Sequence, residues 1–141
     1  MSDPQFEPSA GPLLHVPREE AGRRWRLAAR KRAGAGPMVV WLGGFRSDML
    51  ATKASRLDLW AQARGRAFLR LDYTGHGESE GRFEDGTIGL WTRDALAALD
   101  ALSDDQPLVL VGSSMGGWIA LLLARALAES GRAERLKGLV L

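Results

Sequence analysis

Cysteine is absent from the 141 residues of the sequence. Without thiols the chain forms no disulfides, no thiolate metal sites and no cysteine nucleophile. A long apolar run is also missing, because the longest, residues 118–124, is far shorter than the ~20 residues that cross a bilayer. The first residues lack the basic start and apolar core of a signal peptide. We therefore expect a cytoplasmic protein without a membrane span.

Charge of one sign is not in large excess, since 19 lysines and arginines face 17 aspartates and glutamates and the net charge is +2. This balance argues against a nucleic-acid partner. Basic residues are densest from Arg18 to Arg32, and we interpret them as the solvated face of a strand. With 45% hydrophobic and 26% charged residues, the composition is that of one globular domain. We predict a flexible, proline-containing tail over residues 1–12 and the N-terminal portion of a single domain over residues 13–141.

Short β-prone segments alternate with segments of helical length along the chain. The segment at 38–42 is the clearest strand, because it is continuously apolar and ends in Gly43-Gly44. Ser47 and Asp48 are predicted to cap the helix that follows. The alternation predicts an α/β protein with a mostly parallel sheet and helices on both faces. The predicted strands are residues 13–16, 25–29, 38–42, 67–71, 108–111 and 136–141. Three helices are predicted: the first ends near residue 63, and the other two cover about 88–102 and 115–128.

The segment Gly112-Ser113-Ser114-Met115-Gly116 lies between a predicted strand and a predicted helix. A serine hydroxyl attacks a carbonyl only when it is exposed beside a base and opposite donors that stabilise the oxyanion. A sharp strand-to-helix turn supplies that exposure, but it leaves no room for side chains two residues before and two residues after the serine. Glycines occupy both positions only when Ser114 is the centre. The spacing therefore predicts Ser114 as a nucleophile.

Two backbone N–H groups are candidates for the oxyanion donors. The turn aims the first amides of the helix at the reacting carbonyl, so the Met115 N–H is the first candidate. The loop after strand 38–42 lies beside this turn in a parallel sheet and contains Gly43-Gly44-Phe45. We assign the second donor to the Phe45 N–H, with Gly44 as the next choice.

Two nucleotide-binding interpretations of the glycines fail. Gly112 and Gly117 have the P-loop separation, but Trp118 occupies the position of the lysine that binds phosphate. Gly75-His76-Gly77 begins like a dinucleotide fingerprint, yet Glu80 stands where the next glycine is needed. The stretch from Gly75 to Gly81 is therefore predicted to form a loop, and neither a cofactor nor a metal is expected.

No acidic residue or histidine of the sequence is a convincing partner for the predicted nucleophile. His76 and Asp72 lie in a loop after a predicted strand, where we predict structural roles, with the Asp72 carboxylate holding loop amides. His15 lies in the weak first strand segment, where an ordinary structural residue is expected. Asp94 is interpreted as a charge on the surface of a helix.

Three segments resemble α/β-hydrolases: WLGGFRSD at 41–48, DYTGHGES at 72–79 and GSSMGG at 112–117. More narrowly, the chain looks like bacterial relatives of the mitochondrial acyl-protein thioesterase that also cleaves acyl glucuronides. The likeness covers about residues 37–141. It implies an α/β-hydrolase fold with an eight-stranded sheet, a Ser-Asp-His triad in that chain order, and hydrolysis of acyl esters or thioesters without a cofactor.

In that family the acid and the histidine follow later strands, which would lie beyond Leu141, so the resemblance assigns neither to a residue here. We expect an α/β-hydrolase fold that is truncated after about the sixth strand. The full-length protein is expected to be a serine esterase or thioesterase that forms an acyl-enzyme on Ser114. Its substrate would be a small-molecule acyl ester or thioester, or an acylated protein. The alternative is a catalytically inert, truncated or degenerate hydrolase that acts at most as a binding module.

Overall fold

The first two strands form a hairpin. The computed structural model describes residues 11–141, so most of the predicted tail over residues 1–12 lies outside the described residues. Strand β1 (Leu14–Glu20) pairs antiparallel with β2 (Arg23–Arg32). Ala21 and Gly22 join them with φ values of 50° and 75°, and two successive positive values suit a tight hairpin turn. The predicted strands at 13–16 and 25–29 are confirmed, although both are longer than predicted.

The rest of the chain alternates between strands and helices, as predicted. Helix α2 has the predicted bounds, whereas β3 begins earlier and α1 later than predicted. Single 3₁₀ turns at Phe83–Asp85 and Ala133–Arg135 lie in two of the connections. The elements in chain order are β3 (Ala35–Leu42), α1 (Thr52–Ala63), β4 (Arg66–Leu71), α2 (Ile88–Leu102), β5 (Leu108–Gly112), α3 (Met115–Glu129) and β6 (Leu136–Val140).

The six strands form one sheet in the order β1-β2-β4-β3-β5-β6. Strands β4, β3, β5 and β6 are parallel, and the hairpin joins them antiparallel through β2. From β3 the chain passes to β4 on one side, and α2 then carries it across to β5 on the other side. In sheets of this kind, ligands bind outside the carboxyl ends of the strands where the winding direction reverses. That position here lies between the ends of β3 and β5.

Side chains of β3 alternate between the two faces of the sheet, as the pleat of a strand requires. Val40 and Leu42 belong to the larger core, which α2 and α3 cover. Val39 and Trp41 belong to a smaller cluster beneath α1. The prediction of helices on both faces is therefore confirmed. None of the helices between residues 11 and 141 has the length and apolarity of a membrane-crossing segment.

The start of α1 differs from its prediction. Ser47 and Asp48 were expected to cap the helix, but its N-cap is Ala51, which makes no side-chain capping bond. The Asp48 Oδ1 atom instead accepts from the Leu50 N–H at 2.8 Å. This local bond competes with helical geometry and is typical of an aspartate turn, so residues 48–50 stay in the loop.

A buried ion cluster lies between α1 and the sheet. Asp58 and Arg70 are each 2% exposed, and Arg70 Nη2 lies 2.9 Å from Asp58 Oδ2. Arg32 Nε approaches Asp58 Oδ1 at 2.8 Å from the neighbouring strand β2. Burial lowers the pKa of the Arg70 guanidinium, and the Asp58 charge opposes that shift. The cluster stabilises the fold only while its charges remain paired.

The interpretation of the basic segment as a solvated face is correct only for part of it. Arg24 and Arg26 are exposed, with side chains 82% and 59% accessible. Arg18, Arg30 and Arg32 are 10%, 15% and 21% accessible, and each pairs with a carboxylate of another element. An arginine stem packs along apolar surface while its guanidinium binds acids, so a count of charges does not reveal its burial.

Substitution Asp58→Ala should lower the free energy of unfolding by about 3–5 kcal/mol, because it leaves the buried Arg70 without this counter-charge. The matched control Glu129→Ala removes an exposed carboxylate that pairs with Arg125 one helical turn away, and should cost about 0.3–0.5 kcal/mol. Urea unfolding followed by tryptophan fluorescence measures both losses. Equal losses in the two variants would contradict a stabilising role for the buried cluster.

Candidate active site

The chain turns sharply from β5 into α3 at Ser114. This residue has φ 56° and ψ −120°, a sparsely populated positive-φ conformation that non-glycine residues adopt at a cost of about 1–3 kcal/mol. Its side chain is exposed, although the neighbours Gly112 and Gly116 are buried. The turn therefore holds a strained backbone and presents a hydroxyl to solvent at the carboxyl edge of the sheet.

The two glycines of the motif are required by close backbone contacts. A β-carbon added to Gly112 would come closer than 3.0 Å to the carbonyl of Gly116. One added to Gly116 would come equally close to the carbonyl of Leu42, at the end of β3. The steric reason for the spacing is thus present in the structure. A hydrogen bond also joins the turn to the neighbouring strand, because Ser113 N donates to Leu42 O at 3.2 Å.

The loop after β3 lies against this turn. A β-carbon on Gly44 would be 3.5 Å from Ser113 O and 3.7 Å from the Ser114 β-carbon, so a single methyl group there would fill the space between the loop and the turn. Met115 is the first residue of α3, and its N–H has no carbonyl within the helix to bond. The structure thus brings together Ser114, Met115 and the loop that contains Phe45. Their assignment as nucleophile and oxyanion donors stays a prediction.

The loop after β4 holds the loop after β3 in place. The Asp72 carboxylate accepts from Met49 N at 2.7 Å and from Glu78 N at 3.0 Å, which confirms that it holds loop amides. Burial raises the pKa of the Asp72 carboxyl, and these two hydrogen bonds offset part of the shift. The Tyr73 hydroxyl donates to Gly43 O at 3.0 Å.

His76 is buried and makes only backbone hydrogen bonds. Its Nε2 atom accepts from Arg46 N at 3.2 Å, and its Nδ1 atom lies 3.1 Å from Thr74 O. Both ring nitrogens are therefore occupied, in agreement with a structural role for this histidine. His15 is exposed on β1, and three strands separate β1 from β5. Neither histidine of the sequence is available as a base for Ser114.

Asp94 is not a surface charge, contrary to the sequence interpretation. It is 0% exposed and accepts from Thr74 N at 2.7 Å and from Arg18 Nε at 2.9 Å. Burial raises the pKa of the Asp94 carboxyl, and both hydrogen bonds oppose that shift. Its position in α2, three residues after the buried Trp91, was a signal in the sequence, because residues at this spacing share a helix face.

The described residues offer no obvious metal centre. Between residues 11 and 141, histidines and acidic side chains do not gather in groups of three or more that could hold a metal ion. The chemistry that the site can support is that of its hydroxyl and its backbone N–H groups. A strained serine beside the first amide of a helix is suited to attack on a carbonyl carbon.

A family model described as serine aminopeptidase, S33 (Hydrolase_4) matches residues 38–141. Over 103 residues the chain is 41% identical to the human mitochondrial palmitoyl-protein thioesterase ABHD10, covering 73% of this chain and 33% of that protein. The chain thus spans about a third of the length of this curated relative. The region matched by the family model includes the loop after β3 and the turn at Ser114.

Two solved structures are similar over nearly the whole described chain. Mouse α/β-hydrolase domain-containing protein 10 aligns with a TM-score of 0.82 at 33% identity, covering 92% of this chain and 48% of that one. A structure from Agrobacterium vitis S4, described as a hydrolase, aligns with a TM-score of 0.81 at 40% identity, covering 90% and 49%. The chain spans about half the length of each.

Substitution Gly116→Ala should lower the free energy of unfolding by about 3 kcal/mol, because the added methyl group meets the rigid Leu42 carbonyl. The matched control is Gly117→Ala. There an added β-carbon has only ordinary contacts, the nearest at 3.8 Å, so alanine should stabilise the helix by about 0.5–1 kcal/mol. Thermal unfolding of the two variants separates these outcomes. A Gly116→Ala variant as stable as Gly117→Ala would show that the turn has no steric need for glycine.

Proposed function

Since this chain belongs to the α/β-hydrolase family matched by the serine aminopeptidase S33 model, and is related to palmitoyl-protein thioesterase ABHD10, we propose that it carries the nucleophile of a serine esterase or thioesterase. Its architecture is the α/β-hydrolase fold. The observation that carries the proposal is the strained, exposed Ser114 beside the backbone of Gly44. A serine at this turn favours acyl transfer, because its hydroxyl can form and release an ester.

In the proposed reaction, Ser114 Oγ attacks the acyl carbonyl carbon and transfers its proton to a base. The carbonyl oxygen becomes an oxyanion that the Met115 and Phe45 N–H groups stabilise, with Gly44 N–H as the next choice for the second donor. Collapse of this intermediate expels the alcohol or thiol with a proton and leaves an acyl-enzyme. Water then attacks the acyl group, the released acid departs and the Ser114 hydroxyl is restored.

The proposal places the base and its acid partner outside residues 11–141. The two histidines of the sequence support this, because His76 uses both ring nitrogens for backbone contacts and His15 lies on the edge strand β1, three strands away from β5. The oxyanion donors alone provide only a small part of the rate of a complete triad.

The proposed substrate is an acyl ester or thioester, carried by a small molecule or by a protein. The name of the human relative, a palmitoyl-protein thioesterase, supports a long acyl chain on a thioester. The exposed ring of Phe45, which packs edge-on against Phe83 at 5.1 Å, is an apolar surface on the loop beside the serine. The cytoplasmic location stays a prediction, whereas the human relative is named as mitochondrial.

In the full-length protein, Ser114→Ala should reduce labelling by a fluorophosphonate probe to background, because the probe bonds covalently to an activated serine hydroxyl. The matched control is Ser113→Ala. This neighbouring hydroxyl lies 3.4 Å from Lys53 Nζ and is not at the centre of the glycine spacing, so its loss should leave labelling intact. Gel fluorescence after a timed reaction measures both. Unlabelled wild type, or labelling that survives Ser114→Ala, would reject the proposed nucleophile.

A second candidate is an inert hydrolase segment that acts at most as a binding module, and the engagement of His76 with the backbone favours it for these 141 residues alone. We expect the 141-residue chain to hydrolyse a p-nitrophenyl acyl ester at least ~10⁴-fold more slowly than a complete triad does. The release of p-nitrophenol by this chain and by its Ser114→Ala variant is the measurement. Turnover that depends on Ser114 at an ordinary esterase rate would contradict this candidate.

A further inference from the structure

His76 lies in an aromatic cage beneath the loop that follows β3. Its ring centre is 5.0 Å from that of Trp91, 5.2 Å from that of Phe83 and 5.5 Å from that of Tyr73. The residue is only 3% exposed. These contacts restrict the rotation of the imidazole, so its two nitrogens point in fixed directions.

The hydrogen bonds determine which nitrogen carries the proton. Thr74 O is a carbonyl oxygen and can only accept, so His76 Nδ1, at 3.1 Å, must donate to it. Arg46 N can only donate, so His76 Nε2, at 3.2 Å, must be unprotonated to accept from it. The imidazole is thus the neutral Nδ1–H tautomer, with a lone pair aimed at the backbone of the β3 loop.

The Arg46 backbone lies in a tight turn, which the Ser47 N–H closes by donating to Gly44 O at 3.1 Å. Its φ is 59°, which a non-glycine residue adopts only where the surroundings impose it. The Arg46 N–H belongs to the same peptide unit as the Phe45 carbonyl. On the other side of Phe45, the Tyr73 hydroxyl holds Gly43 O at 3.0 Å. The Phe45 N–H shares its peptide unit with Gly44 O, so the Ser47 bond holds that unit directly. Tyr73 and His76 hold the peptide units before and after it, and the three bonds together set the direction of the Phe45 N–H.

We propose that His76 is a positioning residue of the esterase site, whose neutral Nε2 holds the Arg46 N–H and thereby orients the Phe45 N–H toward the oxyanion. This inference rests on the proposed function of Ser114. His76 does not touch the substrate and transfers no proton. Without its acceptor the β3 loop relaxes at Arg46, and the second oxyanion donor no longer converges with Met115 N–H.

The matched variants His76→Gln and His76→Asn test this role in the full-length protein. Both introduce a neutral amide, but glutamine reaches the position of Nε2 and can accept from Arg46 N, whereas asparagine reaches only the position of Nδ1. We expect kcat for a p-nitrophenyl acyl ester to fall by about 10–100-fold in His76→Asn, toward the loss seen when one oxyanion donor is removed. His76→Gln should stay within about 5-fold of wild type, and KM should change little in either variant.

The exposed His15 provides the control, because His15→Gln should leave kcat unchanged. Melting temperatures of the variants separate positioning from folding. Equal kcat values in His76→Gln and His76→Asn would overturn the proposal, and so would parallel losses of kcat and melting temperature in both. If neither variant folds, the tautomer of wild-type His76 tests the proposal instead.

That tautomer is measured independently by ¹⁵N NMR of histidine-labelled protein, with His15→Gln identifying the signals of His15. A protonated Nδ1 and an unprotonated Nε2 on His76 are expected, and an Nε2–H tautomer would overturn the proposal. If Ser114 is not the nucleophile, esterase activity remains in Ser114→Ala, which distinguishes failure of the proposed function from failure of the positioning role. Failure of the positioning role alone leaves Ser114 essential while His76→Asn retains the kcat of His76→Gln.

Discussion

The close approach of the turn after β5 to the end of β3 is the contact on which the site depends. Gly116 lies so near the Leu42 carbonyl that no side chain fits between them, and Ser113 N–H bonds to the same carbonyl. Ser114 lies within this contact in its positive-φ conformation, and α3 begins directly after it, beside the β3 loop. The strain of one residue is sustained because the sheet and helix on either side are well packed.

Around this contact, buried polar groups of the β4 loop fix the loop that lies opposite the serine. Asp72 holds Met49 N–H, Tyr73 holds Gly43 O, and His76 holds Arg46 N–H. Asp94 in turn holds the β4 loop through Thr74 N–H and is itself paired with Arg18 of the hairpin. A buried polar group is costly unless it is bonded, so this chain of contacts has few alternative arrangements. Rigidity at the β3 loop thus originates in elements that lie far from Ser114 along the sequence.

Sequence patterns were accurate where structure is local. The alternation of apolar strands and helical segments predicted every strand, and α2 and α3 were placed within a residue or so, because burial of one face imposes a period on the sequence. The start of α1 was misplaced, since an aspartate such as Asp48 satisfies an amide in a turn as readily as in a cap. Asp58 was missed and Asp94 was assigned to the surface, because these helical residues pair with arginines of strands β4 and β1, 12 and 76 residues away.

The sequence by itself determined the turn at Ser114, because two glycines at fixed spacing are a steric requirement of the backbone and can be read without coordinates. It also determined membership of the hydrolase family through three short segments. Only the tertiary structure decided which acids are buried, which backbone groups face the two ring nitrogens of His76, and that the β3 loop is held from the β4 loop. Those properties arise from pairs of groups distant in the chain, and hydrophobic periodicity carries no information about such pairs.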